Sequence, residues 1–175
     1  MRTNPLQRSI FQNAWVVDDI EAACHSWVKN FAVGPFYIYQ FGNSFKDVIY
    51  RGAPGQFEIV LALAQAGPLQ IELIQPVSQP SVYRDSVPAG SMGFHHVCAW
   101  TDDIDADSAH FQAINCPSVC SAASGSVRFA YFDTRAIIGC MFEVVTKTSD
   151  MVALFQQVSD AAIDWDGRNP VRYAT

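Results

Sequence analysis

An α+β fold of two tandem βαβββ modules, forming curled sheets around a cleft and followed by a C-terminal helix, is what this sequence predicts. Three observations carry the prediction. The stretch from Gly93 to Ile104, with Phe94-His95-His96-Val97-Cys98-Ala99-Trp100 at its centre, reads as a strand running into a helix capped by paired aspartates. A second version, Phe11-Gln12-Asn13-Ala14-Trp15-Val16-Val17-Asp18-Asp19-Ile20, precedes it. Superposing the Asp-Asp-Ile endings puts His96 on Gln12, an offset of 84 residues (96 − 12) in a chain of 175. A self-similarity of half the chain length implies a duplicated unit. Finally, β-rich runs bounded by glycine and proline follow each helix, as a βαβββ unit requires.

The elements follow in order. Residues 10–17 form a strand, and Asp18 or Asp19 caps a helix over about 19–31 with Ile20, Ala23, Trp27 and Phe31 at helical spacing. His25 reads as a partly exposed residue of that helix. Gly34-Pro35 ends the unit, and residues 36–41 carry the aromatic and β-branched side chains that suit a strand. Val48-Ile49-Tyr50-Arg51 is either an extension or a short extra strand, and residues 52–55 break the chain. Phe57 to Ala64 and Leu69 to Gln75 are strands, with Gly67-Pro68 as the turn between them and Pro76 as the stop. Residues 77–92 lack periodicity and carry prolines and serines, so they read as a linker with one short turn near Ser81–Arg84.

The second unit starts with a strand at 94–100 and a helix at about 103–114. Ile104, Phe111 and Ile114 are its apolar side, and His110 stands close to the place of His25. A short strand over 119–122, a second over 127–133 and a third over 140–145 complete it. A last helix, about 149–163, has Ser149 or Asp150 as its cap and Val152, Phe155, Val158 and Ala162 as its apolar face. The polar tail 164–170 needs Trp165 to tie it down. The organisation is a single domain over 1–175, with modules 8–76 and 93–147, linker 77–92, and helix and tail 148–175.

Composition narrows the function. The chain is long enough to bury roughly two thirds of its unfolded surface, and half its residues are hydrophobic against 16% charged. A net charge of −6 with no basic run excludes a nucleic-acid partner. No apolar segment has the length of a signal peptide or a membrane span, so a cytoplasmic location is expected. Five cysteines without a paired spacing read as inert core thiols.

Four polar residues stand in apolar strand surroundings. Glu72 and Glu143 lie in the last strand of each module, and Gln12 and His96 open the first. A single strand glutamate usually faces solvent. Two at matching repeat positions, beside an imidazole and an amide, suit a divalent metal with open positions, because a buried carboxylate needs a cation. Alternation puts His95 and His96 on opposite faces. The repeat register selects His96, leaving His95 to the helix-facing side or to a surface hydrogen bond. Phe36, Tyr37, Tyr39, Phe41, Tyr50, Phe129 and Tyr131 are candidates for the cleft lining, although half must point outward. Arg51, Arg84 and Arg128 are scattered and do not announce a glutathione or coenzyme A site.

The segments Val17-Asp18-Asp19-Ile20-Glu21-Ala22-Ala23, Gly34-Pro35-Phe36, Ile71-Glu72-Leu73-Ile74-Gln75-Pro76, Gly93-Phe94-His95-His96-Val97 and Phe142-Glu143-Val144 together span most of residues 10–146. In order and spacing the chain resembles the vicinal oxygen chelate superfamily, which includes glyoxalase I, methylmalonyl-CoA epimerase, extradiol dioxygenases, and fosfomycin and bleomycin resistance proteins. The resemblance implies a metal site at Gln12, Glu72, His96 and Glu143, holding Zn, Ni, Co or Mn. It implies Glu143 as the catalytic base and a homodimer. Gln12 stands where the epimerases have histidine, as in some glyoxalase I enzymes. It also replaces one of the two iron-binding histidines of the extradiol dioxygenases, which counts against that chemistry. The epimerase branch uses a further carboxylate near Gly55-Gln56-Phe57-Glu58, where Gln56 or Glu58 falls. The implied activity is that of a metal-dependent isomerase, epimerase or lyase of the glyoxalase type. It acts on an apolar or aromatic small-molecule substrate by proton abstraction next to a carbonyl, with enediolate stabilisation. The alternative is a non-catalytic small-molecule binding or resistance protein on the same fold.

Overall fold

Alternation along strand β1 (Ile10–Val16) buries Gln12, Ala14 and Val16 and leaves the intervening side chains partly exposed, the period-two pattern of a sheet with one packed face. The structure is a computed structural model and describes residues 8–174. Helix α1 (Ile20–Phe31) starts where the Asp19 carboxylate accepts the Ala22 backbone N–H at 2.9 Å, which satisfies one of the free amides of the first turn. It buries Ile20, Ala23 and Cys24. Phe31, expected on the packed face, is instead exposed at the last turn.

Strand β2 (Phe36–Phe41), a short hairpin of β3 (Lys46–Tyr50) and β4 (Ala53–Pro54), and strands β5 (Ile59–Ala66) and β6 (Leu69–Pro76) complete the first half. The second half has β7 (Gly93–Thr101), α2 (Ile104–Ala113), β8 (Ser118–Ser124), β9 (Val127–Phe132), the single turn α3 (Arg135–Ile138) and β10 (Met141–Thr146). Asp103 caps α2 through the Ala106 N–H at 2.9 Å, as Asp19 does for α1. Ile114 lies just beyond α2 and is exposed, so the apolar face is shorter than the periodicity predicts. Helix α4 (Ser149–Ala162) and strand β11 (Val171–Tyr173) end the chain.

The two curled halves do not form separate sheets. They join through the antiparallel pair β1–β7 into one sheet of order β11-β2-β5-β6-β1-β7-β10-β9-β8-β3-β4. β6 runs parallel to β1, and β10 parallel to β7. The central register is two-fold in pattern. Ala14 is opposite both Glu72 and His96, while Cys98 is opposite both Gln12 and Glu143. Gln12 and His96, like Ala14 and Cys98, stand at the 84-residue offset read from the sequence, whereas Glu72 and Glu143 stand 71 residues apart (143 − 72) because the second half is shorter between its first and last strands.

The hairpin β3–β4 leaves the first half and pairs with β8 at the far edge of the second. Covering a free strand edge removes a row of unpaired backbone groups. Tyr50 anchors the hairpin by donating its hydroxyl to Asp85 Oδ1 at 2.6 Å, and Arg51 pairs with Asp85 at 3.0 Å. At the opposite edge β11 adds to β2 in parallel. The tail is held as expected by Trp165, whose indole packs so closely on Gly34 that a Cβ there would lie 2.8 Å from the ring.

Helix α1 packs on the convex side over Phe36, Ile38, Ala62 and Leu73, and Phe111 of α2 stacks on Phe132 at 4.1 Å. The concave side holds Ala14, Val16, Phe57, Tyr83, Phe129, Tyr131 and Met141. α4 crosses this concavity. Its cap is Thr148, which accepts the Met151 N–H at 3.3 Å, rather than Ser149 or Asp150. Its inward face is Met151, Leu154, Phe155 and Val158, and Val152 is exposed. The face is one residue off the expected set because the helix divides its apolar side between the concavity and the stacked pair Phe11–Trp100. All five cysteines are buried and unpaired. Among the described residues no helix is long and apolar enough to cross a membrane.

Candidate metal centre

Glu72 comes from β6, His96 from β7 and Glu143 from β10, the strands flanking and including the central pair. Each is buried, and one donor atom from each lies within 4.8 Å of the others. His96 Nε2 is 2.9 Å from Glu143 Oε2 and 3.3 Å from Glu72 Oε2. Neither approach has hydrogen-bond geometry, since His96 Nε2 and Glu72 Oε2 have no hydrogen-bond partner. The donor atoms therefore face a common point rather than one another. A buried polar atom without a partner costs about 1–3 kcal/mol. A divalent cation at that point would satisfy both orphans and balance the two carboxylates, and imidazole plus carboxylate is a donor set that Zn, Mn, Co and Ni accept. The residues fit the ion.

Gln12, the fourth predicted residue, is buried beside this cluster. Its Nε2 donates to Gln70 Oε1 at 2.6 Å, and it lines the deep end of the concavity with Glu72, Cys98 and Glu143. Among the described residues nothing donates to its amide oxygen, the atom a metal would take.

His95 departs from expectation. It faces neither a helix nor the surface: it is 1% exposed and its Nδ1 lies 2.8 Å from His96 Nδ1. The cause is a bulge. Ala14 pairs with His96 and the next β1 residue, Trp15, pairs with Phe94, so His95 is the extra residue of β7. A bulge breaks alternation and re-aims side chains, which lets two consecutive imidazoles turn inward. The His95 Nε2 reaches the Val82 carbonyl at 3.2 Å, on a 3-10 turn over Val82–Asp85 in the expected linker.

The electrostatics reflect tight burial. Desolvation raises the Glu72 carboxyl, and His96 draws it back. Burial alone would lower His96, but Glu143 and Glu72 outweigh it and hold the imidazole at about 9. Burial, then the His96 charge, pushes His95 down to about 3. The metal-free protein should accordingly lose stability with alkaline pH. A folded value of about 9 against 6.5 for the free side chain makes the His96 contribution fully present below pH 6.5 and lost as pH rises to 9. Raised Glu72 acts in the same direction. The His96 share of the loss is on the order of 3 kcal/mol, read as a fall of several degrees in the unfolding midpoint of chelator-treated protein. A flat profile across that window would refute the ionic pairing.

A cavity of about 290 Å³ opens above the two carboxylates, at the small end of the range for ligand sites. Phe41, Phe129 and Tyr131 line it as the sequence suggested, with Tyr39 in its deeper part. Phe36 packs under α1, and the Tyr37 hydroxyl accepts from Arg172 at 2.8 Å. Phe45, Tyr83, Met151 and Leu154 also line it. Phe45 and Tyr83 stand in a turn and a proline-rich stretch that carry no period, and the period of the tail helix selects Val152 and Phe155 rather than Met151 and Leu154. Among the described residues no lysine or arginine lines the cavity: Arg51, Arg84 and Arg128 pair with Asp85, Asp18 and Asp105. Gln56 is exposed and donates to Asn43, and neither it nor Glu58 lines the cavity. The cluster's carboxylates are thus Glu72 and Glu143 alone.

Comparison with known proteins adds a family and a fold. The family model described as Glyoxalase/Bleomycin resistance protein/Dioxygenase superfamily matches residues 11–131. A solved methylmalonyl-CoA epimerase in complex with methylmalonyl-CoA and NH4+ is similar at 15% identity and TM-score 0.53, over 81% of this chain and 96% of that one. The epimerase from Mycobacterium tuberculosis is similar at 15% identity and TM-score 0.55, over 82% and 91%. A hypothetical protein from Bacillus halodurans C-125 is similar at 16% and TM-score 0.56, over 82% and 96%. No curated protein sequence matches the chain.

Proposed function

The chain belongs to the Glyoxalase/Bleomycin resistance protein/Dioxygenase superfamily, and from that premise we propose that it is a metal-dependent isomerase, epimerase or lyase of the glyoxalase type. Its substrate is an apolar or aromatic carbonyl compound. The observation that carries this reading is the convergence of Glu72, His96 and Glu143, whose two carboxylates line an apolar cavity. Glu72, His96 and Glu143 hold the ion, and the Gln12 amide oxygen is a weaker, exchangeable fourth ligand. Bound there, Zn, Ni, Co or Mn supplies Lewis-acid polarisation of a substrate carbonyl.

The protein's own part is proton handling and exclusion of water. Glu143 faces the cavity and takes the proton from the carbon next to the carbonyl, as a base within reach of its substrate must. It then returns that proton to the neighbouring or the same carbon. The walls formed by Phe41, Phe129 and Leu154 keep bulk water from the exposed carbanion. Among the described residues no cationic side chain lines the cavity, and the lining carries a further carboxylate, Asp150, beyond the pair that the ion would balance, which favours a neutral substrate over an acidic one.

The test is solvent-deuterium incorporation into a panel of neutral aryl and alkyl α-hydroxyketones, followed by proton NMR with metal-loaded and chelated protein. Metal-dependent exchange supports the enzyme. Stoichiometric ligand binding without exchange would instead identify a non-catalytic binding or resistance protein. Protein that takes up none of the four ions overturns the metal chemistry altogether.

A further inference from the structure

We propose that His95 is a positioning residue: it fixes the proton of neutral His96 on Nδ1 and so presents the Nε2 lone pair to the point shared by Glu72 and Glu143. The inference rests on the metal reading above. A backbone carbonyl can only accept, so the His95 ring must carry its proton on Nε2 to bond Val82 O at 3.2 Å. The buried, neutral His95 ring has one proton, so its Nδ1 holds a lone pair. The atom 2.8 Å away, His96 Nδ1, must then be the donor. In neutral His96 this leaves Nε2 bare, and Nε2 is the atom between the two carboxylates. The other tautomer would set two lone pairs against each other at Nδ1 and aim an N–H at the metal position.

The surroundings hold this relay still. The Tyr83 ring packs on His95 at 5.2 Å, and the Tyr131 ring packs on His95 and His96 at 5.8 and 5.0 Å. The bulge at His95 is what brings the second imidazole inward. Ligating histidines need such an acceptor on their other nitrogen. Here the acceptor is a second histidine, anchored in turn to the segment joining the two halves.

The test compares Co²⁺ binding by wild type, His95→Leu and His95→Gln in calorimetric titrations at a pH where His96 binding is measurable. His95→Leu removes the acceptor and is expected to weaken affinity roughly 10- to 100-fold. His95→Gln keeps an oxygen that can accept from Nδ1 and is expected to recover most of that loss. A purely structural role would lower the stability of both variants without this order. Equal affinity of wild type and a folded His95→Leu overturns the inference while leaving the metal site intact. No binding by wild type overturns both. Nitrogen NMR of labelled histidine in metal-loaded wild type decides the matter even if the variants do not fold. Protons on His95 Nε2 and His96 Nδ1 support the relay, and a proton on His95 Nδ1 refutes it.

Discussion

Saturating Co²⁺ or Zn²⁺ is expected to raise the thermal unfolding midpoint of this protein, and His96→Ala is expected to abolish the rise. A ligand at 1,000 times its dissociation constant stabilises the native state by about 4 kcal/mol. In a chain of this size that is a shift of roughly 8–16 °C. His96 supplies the nitrogen donor between Glu72 and Glu143. Without it two buried carboxylates remain, with no cation between them in the metal-free state. The variant is therefore expected to be less stable than wild type without metal, since removing one partner of a buried ionic group costs about 3–5 kcal/mol. Scanning fluorimetry with and without chelator measures both effects. A wild-type midpoint indifferent to metal, or an unchanged metal response in His96→Ala, would sink the assignment.

The second large effect is on proton transfer. Glu143→Gln preserves the shape of the side chain and an oxygen for the ion but removes the basic group. Solvent-deuterium exchange into a substrate that wild type turns over is expected to fall at least about 100-fold. Metal is still expected to bind through Glu72 and His96. The pseudo-symmetric position makes Glu72→Gln the control, because Glu72 occupies the matching place in the repeat register. A larger loss in Glu72→Gln than in Glu143→Gln would transfer the base to the other carboxylate. Exchange within ten-fold of wild type in both would place the base outside the cluster.

Much of this arrangement is legible in the linear chain because it is repeated there. The Asp-Asp-Ile helix starts fix an offset of 84 residues that carries Gln12 onto His96, and the last strand of each module supplies a matching carboxylate, Glu72 and Glu143, without any knowledge of contacts. The helix caps at Asp19 and Asp103 are local chemistry and appear where the residues predict them. The inward aromatics of β2 and β9 follow from alternation, which is also local.

Where alternation fails, so does the reading. His95 was expected away from His96, yet an extra residue in β7 turns both inward, and a bulge depends on how two distant strands come into register. The same limit applies to β3, which crosses to pair with β8, and to the α4 face, chosen by the cavity and the Phe11–Trp100 stack it must cover together. Tyr83 is buried beside the carboxylates from a stretch that reads as linker. The sequence by itself determined the duplicated βαβββ pattern, the capped helices and the polar residues that have no place in an apolar strand. Periodicity and capping act within a few residues, so they leave a local trace. Only the tertiary structure decided that Glu72, His96 and Glu143 meet with orphaned donor atoms, that Gln12 is tethered to Gln70, and that His95 backs His96. Those outcomes depend on strand register and bulges across the β1–β7 junction, where the free energy of pairing is shared among segments far apart in the chain.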